Sequence, residues 1–157
     1  MNEKGIIMTD DEKKEAATQF TDEWKNDDDQ HCGSKAFWIS LFRDVYGIEH
    51  AENFVEFEYK FGAIGIVDVY IPTIHMIIEQ KGRNTNTNVL NATAKSIIDK
   101  IATTNKDLDE ESKVRYFLIS NYKVLVLYSI EDDFQKPLMI DLNNLNISYK
   151  QLPFERI

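Results

Sequence analysis

The residue pattern predicts an α/β protein of the α+β kind, with a mixed sheet of about five strands flanked by helices. Three observations carry this expectation. Apolar residues recur at helical spacing in two segments near the N-terminus and in a third beyond residue 88. Short runs rich in Val, Ile, Phe and Tyr alternate with turn signals, as strands do. The order is helix, helix, three strands, helix, two strands.

Taken along the chain, Thr9 and Glu12 have the spacing of a capping box, and Ala16, Ala17, Phe20 and Trp24 follow at helical spacing. Lys25 to Gly33 is a polar, acidic loop. Ser34 is expected to cap a second helix that buries Phe37, Trp38, Leu41, Phe42 and Val45 and stops at Gly47. From Phe54 to Phe61 the residues alternate. Val55, Phe57, Tyr59 and Phe61 are placed on one face under a helix, and Glu56, Glu58 and Lys60 on the other. Gly62 to Gly65 turns the chain into a strand over 66–71, and a third strand over 75–81 completes a meander. A polar loop leads to a helix with Leu90, Ala94, Ile97, Ile98 and Ile101 on one face. Strands follow over 114–120 and 124–130, joined at Asn121 and Tyr122, with a short edge strand over 138–142.

The 157 residues suit a single domain, 1–157, with 1–8 disordered. At 43% hydrophobic and 29% charged, the composition is that of an ordinary soluble globular protein. No apolar run approaches the roughly 20 residues of a membrane span, and the charged N-terminus lacks a signal-peptide core. A single cysteine, Cys32, excludes an internal disulfide, so a cytoplasmic location is the default. His31 beside Cys32 lacks further ligands at zinc spacing. The net charge of −9 argues against a stand-alone DNA binder, although not against a catalytic module brought to DNA by other domains.

The most informative stretch is Gly65 to Gly82, two apolar strands interrupted by Asp68, Glu79 and Lys81. Glu79 and Lys81 are two apart and share a strand face. A turn over Pro72 to His75 sets Asp68 opposite Glu79 in an antiparallel pair. Two facing carboxylates repel. A cation between them relieves that repulsion, and an all-oxygen pair beside a lysine suits Mg²⁺ and phosphate chemistry. A salt bridge between Asp68 and Lys81 that merely holds the hairpin is the structural alternative.

The arrangement of Asp68, Glu79 and Lys81 resembles the PD-(D/E)xK nuclease motif. Its setting narrows the resemblance. Phe37-Trp38-Ile-Ser-Leu-Phe-Arg-Asp-Val-Tyr-Gly47, Glu56-Phe57-Glu58-Tyr59-Lys60, Gly65-Ile-Val-Asp-Val-Tyr-Ile-Pro72 and Ile78-Glu-Gln-Lys-Gly82 occur in that order. Together they resemble the N-terminal nuclease domain of single-chain type II restriction-modification enzymes, the MmeI-like group, over about Phe20 to Tyr128.

The resemblance implies a restriction-endonuclease-like core and a Mg²⁺-dependent endonuclease, a type II site-specific deoxyribonuclease domain, with Mn²⁺ able to substitute. It implies Asp68, Glu79 and Lys81 as catalytic residues, and Asp68, Glu79 and the backbone carbonyl of Gln80 as metal ligands. Lys81 would orient the attacking water. Glu58 is a candidate additional ligand, with a solvated sheet-face carboxylate as the bland alternative. Many relatives carry Gln-Ala and a basic residue early in the following helix. Here Thr93-Ala94-Lys95 stands there, which leaves Lys95 as a candidate DNA contact. The implied partners are double-stranded DNA, the methyltransferase and target-recognition domains of a parent enzyme, and a second copy in a transient dimer on DNA, with no membrane. Those further domains are not in this sequence, so an excised domain or truncated relative is expected. A non-catalytic interaction module that keeps the nuclease fold is the alternative from another class. A nuclease acting on RNA or branched DNA carries the same motif.

Overall fold

The computed structural model describes residues 7–25 and 33–157. Most of the expected disordered start and of the acidic loop, with His31 and Cys32, lies outside the described residues.

Helix α1 spans Asp10–Trp24. Its capping box forms as expected: Thr9 Oγ1 accepts from the Glu12 N–H at 3.1 Å, and Glu12 Oε1 accepts from the Thr9 N–H at 3.2 Å. Helix α2 spans Gly33–Ser40 and widens into a π-helical turn over Leu41–Val45. Gly47 stops it with φ 71°, a conformation open to glycine at little cost, while the Gly47 and Ile48 N–H groups close on Arg43 and Phe42 carbonyls. Ser34 does not cap this helix. The helix has already begun at Gly33, so Ser34 lies inside its first turn.

Six strands form one mixed sheet in chain order: β1 (Glu56–Phe61), β2 (Gly65–Ile71), β3 (Met76–Gln80), β4 (Tyr116–Ser120), β5 (Val124–Ser129) and β6 (Leu138–Asp141). The sixth is the expected edge strand. β3 and β4 pair in parallel and every other neighbouring pair is antiparallel. The parallel pair needs a long crossover, supplied by α3 (Thr87–Lys106), which Asn86 caps by accepting from the Val89 N–H at 2.9 Å.

Alternation along the central strands divides the core in two. Met76, Ile78, Leu118, Leu125 and Leu127 pack with α1 and α2, whereas Ile77, Phe117, Ile119, Val126 and Tyr128 pack with Leu90, Ala94 and Ile101 of α3. The first layer is aromatic. Phe37 meets Phe20, Trp24, Trp38 and Tyr122 with ring centroids 5.0–5.3 Å apart. The segment beyond β6, including the short α4 (Leu145–Ser148), closes this layer by burying Leu145, Tyr149, Leu152, Phe154 and Ile157.

β1 departs from the expected alternation. Phe57 packs with the α1/α2 layer and Phe61 with the α3 layer, although four residues on a regular strand would place both on one face. The cause is Glu58, which adopts φ 50°. A non-glycine residue in the left-handed region gives up on the order of 1–2 kcal/mol. Val67 and Val69 likewise join different layers, so β2 is irregular at the same level. Tyr59 lies outside the core, 38% exposed.

Candidate active site

The turn between β2 and β3 is the one expected. Pro72–Ile74 form a single 3₁₀ turn, and His75 closes it in the left-handed region with its N–H on the Pro72 carbonyl. Val69 pairs with Ile78 and Ile71 with Met76. One further step in this register sets Asp68 across from Glu79. The ladder stops short of that step. A regular continuation would send the Gln80 N–H to the Val67 carbonyl. It goes instead to Asp68 Oδ2, at 2.7 Å. The two carboxyl groups therefore meet where the strands part.

Both side chains are half-buried, and Lys81 is 3.2 Å from Glu79 Oε2. The Glu79 carboxyl is raised to about 7. Burial is the largest cause, followed by the charge of Asp68 and a hydrogen bond with it. Lys81 pulls in the other direction. The lysine thus pairs with Glu79, not with Asp68 as in the salt-bridge alternative, and it does not neutralise the pair.

Glu58 does not join them. The β1–β2 register puts it across from Asp68, which would align three carboxylates in one row over three strands. Its left-handed backbone breaks that row and leaves it exposed. Among the described residues, no three His, Cys, Asp or Glu side chains are grouped so as to hold a metal. The side-chain ligands available at the hairpin end are the two carboxylates alone. Lys95 is exposed on α3, in the turn after Leu90.

Three supports escaped the sequence reading. The Trp38 indole N–H donates to Gln80 Oε1 at 2.9 Å, and Gln80 Nε2 donates to the Lys81 and Ser120 carbonyls at 2.8 and 3.1 Å. Arg83 donates to the carbonyls of Trp24 and Lys25, which ties the chain after the motif to the C-terminus of α1. The Lys81 N–H reaches the Ser120 carbonyl at 2.7 Å. Nothing in local spacing announces a bond across 42 residues between helix and strand.

The chain matches a known protein family. The model of the MmeI N-terminal domain matches residues 15–157. This chain belongs to that family. No curated protein and no solved structure matches it. The MmeI family places the chain among the N-terminal domains of restriction-modification enzymes, and its mixed six-stranded sheet flanked by helices is consistent with a nuclease-like core. No helix among the described residues is long and apolar enough to cross a membrane.

Proposed function

We propose that this MmeI-family domain is a Mg²⁺-dependent endonuclease that hydrolyses DNA phosphodiester bonds. The observation that carries the reading is the meeting of Asp68 and Glu79 at the end of the β2–β3 ladder, with Lys81 alongside. The donor set fits a hard cation, because every candidate ligand is oxygen. The raised Glu79 carboxyl would exchange its proton for a divalent ion. Asp68, Glu79 and the Gln80 backbone carbonyl would hold Mg²⁺, which would stabilise charge on the phosphoryl oxygens. Water and substrate phosphate would complete the coordination.

The chain's own residues do the rest. Asp68 keeps Oδ2 on the Gln80 N–H, and once the Glu79 proton that bonds to it is gone, its carboxylate would be open to the ion. Lys81, 34% exposed and paired with Glu79, would orient the attacking water and neutralise charge developing in the transition state. Duplex DNA, delivered by target-recognition and methyltransferase domains of a parent enzyme, is the substrate in this reading. Two copies acting together would cut both strands.

Calorimetric titration with Mn²⁺ and Mg²⁺, on the wild type and Asp68→Ala, tests the proposal, followed by plasmid nicking with both proteins. Binding and nicking should both be present in the wild type and both be lost in the variant. A wild type that binds neither ion sinks the reading. It would leave a non-catalytic module that retains the fold, a reading favoured by the lack of a third grouped ligand side chain among the described residues.

A further inference from the structure

We infer that Trp38 is a positioning residue for the carboxylate pair, acting through Gln80. The inference rests on the metal-site reading above and names a residue of α2 that lies outside the hairpin. Trp38 is fully buried, which suits a core aromatic, but its indole N–H is spent on one group only, Gln80 Oε1. With that bond and its two bonds to the Lys81 and Ser120 carbonyls, the Gln80 amide uses both its donors and one of its two acceptor positions. Its side chain lies on the α1/α2 face of the sheet, whereas Glu79 and Lys81 point to the opposite face. The backbone N–H of the same residue holds Asp68 Oδ2.

One residue thus connects the two sides of the sheet. Its side chain is locked from below by Trp38, and its main chain fixes the carboxylate above. The lock bears on the β2 side of Gln80, where the β2–β3 ladder has already ended at Val69 and Ile78, while on its other side Gln80 stays paired with Ser120 of β4. Beyond that last rung the Gln80 N–H is held by the Asp68 carboxylate in place of a β2 carbonyl. Without the indole bond the Gln80 side chain would lose a buried partner and gain freedom to turn. The carbonyls of Lys81 and Ser120 would lose their shared donor with it. The carboxylates would then sample more positions, which weakens binding of an ion that demands near-ideal octahedral geometry. Groups that orient metal ligands from behind in this way typically change affinity by about 10–100-fold when removed.

The test compares Trp38→Phe, which keeps an aromatic ring and deletes the donor, with Phe42→Leu. Phe42 is also fully buried and in ring contact with Trp38, but it does not bond to Gln80. Two readouts are taken: Mn²⁺ affinity by calorimetry, and hydrogen exchange of the Gln80 amide in metal-free protein. Both variants should lower the melting temperature. Only Trp38→Phe should weaken Mn²⁺ binding by about tenfold or more and speed Gln80 exchange beyond the change in Phe42→Leu. Gln80→Leu should weaken Mn²⁺ binding similarly, and combining it with Trp38→Phe should add little. Equal exchange rates in the two single variants would overturn the inference, as would faster exchange with unaltered Mn²⁺ affinity. A wild type that binds no Mn²⁺ fails the metal reading first, and the exchange comparison still decides separately whether Trp38 governs this end of β3.

Discussion

At the scale of the residue, Glu79 is the group whose chemistry departs most from its ordinary value. Its carboxyl is raised from 4.5 to about 7, first by burial and then by Asp68. Between these two values the folded protein holds a proton that the unfolded chain releases. Linkage then requires stability to fall as pH rises from about 4.5 to 7 and to level off above it. Glu79→Gln removes this loss. In the presence of a chelator, the variant should be more stable than the wild type at pH 8 by about 1–2 kcal/mol, after discounting for solvent screening. The advantage should vanish below about pH 4.5, where Glu79 is protonated in the folded and the unfolded chain alike. Urea denaturation at both pH values checks this, and an identical pH slope in the two proteins would refute it. The same sign makes Mn²⁺ a competitor of the proton, so adding the ion should recover wild-type stability at pH 8.

At the scale of the element, what was legible in the sequence was whatever local spacing determines. The β2–β3 register followed from the turn alone, because fixing Pro72 to His75 fixes every pair. The alternation of β1 was misread because a dihedral angle at Glu58, adjacent to the carboxylates, overrides the two-residue period. The C-terminal packing was legible but not used: Leu142, Leu145, Tyr149 and Leu152 have helical spacing, and all are buried. The crossover offers a test of a contact that spacing could not disclose. Asn105, in the last turn of α3, donates to the Val114 carbonyl at 3.1 Å and accepts from its N–H at 2.9 Å, both buried. These bonds join the helix to the lead-in of β4. Asn105→Ala leaves two buried main-chain groups unpaired and should destabilise by about 2–3 kcal/mol. A loss within the ordinary surface range of about 0.5 kcal/mol in a denaturation series would show that water replaces the side chain.

At the scale of the whole molecule, net charge is set against the proposed substrate. With 27 acidic and 18 basic residues, the chain carries −9, and DNA phosphates repel it at long range. The Asp68–Glu79 pair adds to that repulsion, and in the proposed site a bound ion would offset it. If DNA is the substrate proposed above, most of the affinity would have to come from elsewhere, and a linked recognition domain would supply it as effective concentration, on the order of millimolar for a short flexible tether. Two consequences separate this from a self-sufficient nuclease. Nicking by the isolated domain should rise in proportion to protein concentration without saturating in the micromolar range. It should also depend only weakly on salt, because few phosphates are contacted, in contrast to the steep fall expected of a protein that neutralises six to ten of them. A plasmid-nicking series over protein concentration and over 50–200 mM salt measures both. Saturation at low concentration together with a steep salt dependence would mean that the domain carries its own phosphate-binding surface and that its acidity is confined to faces remote from DNA.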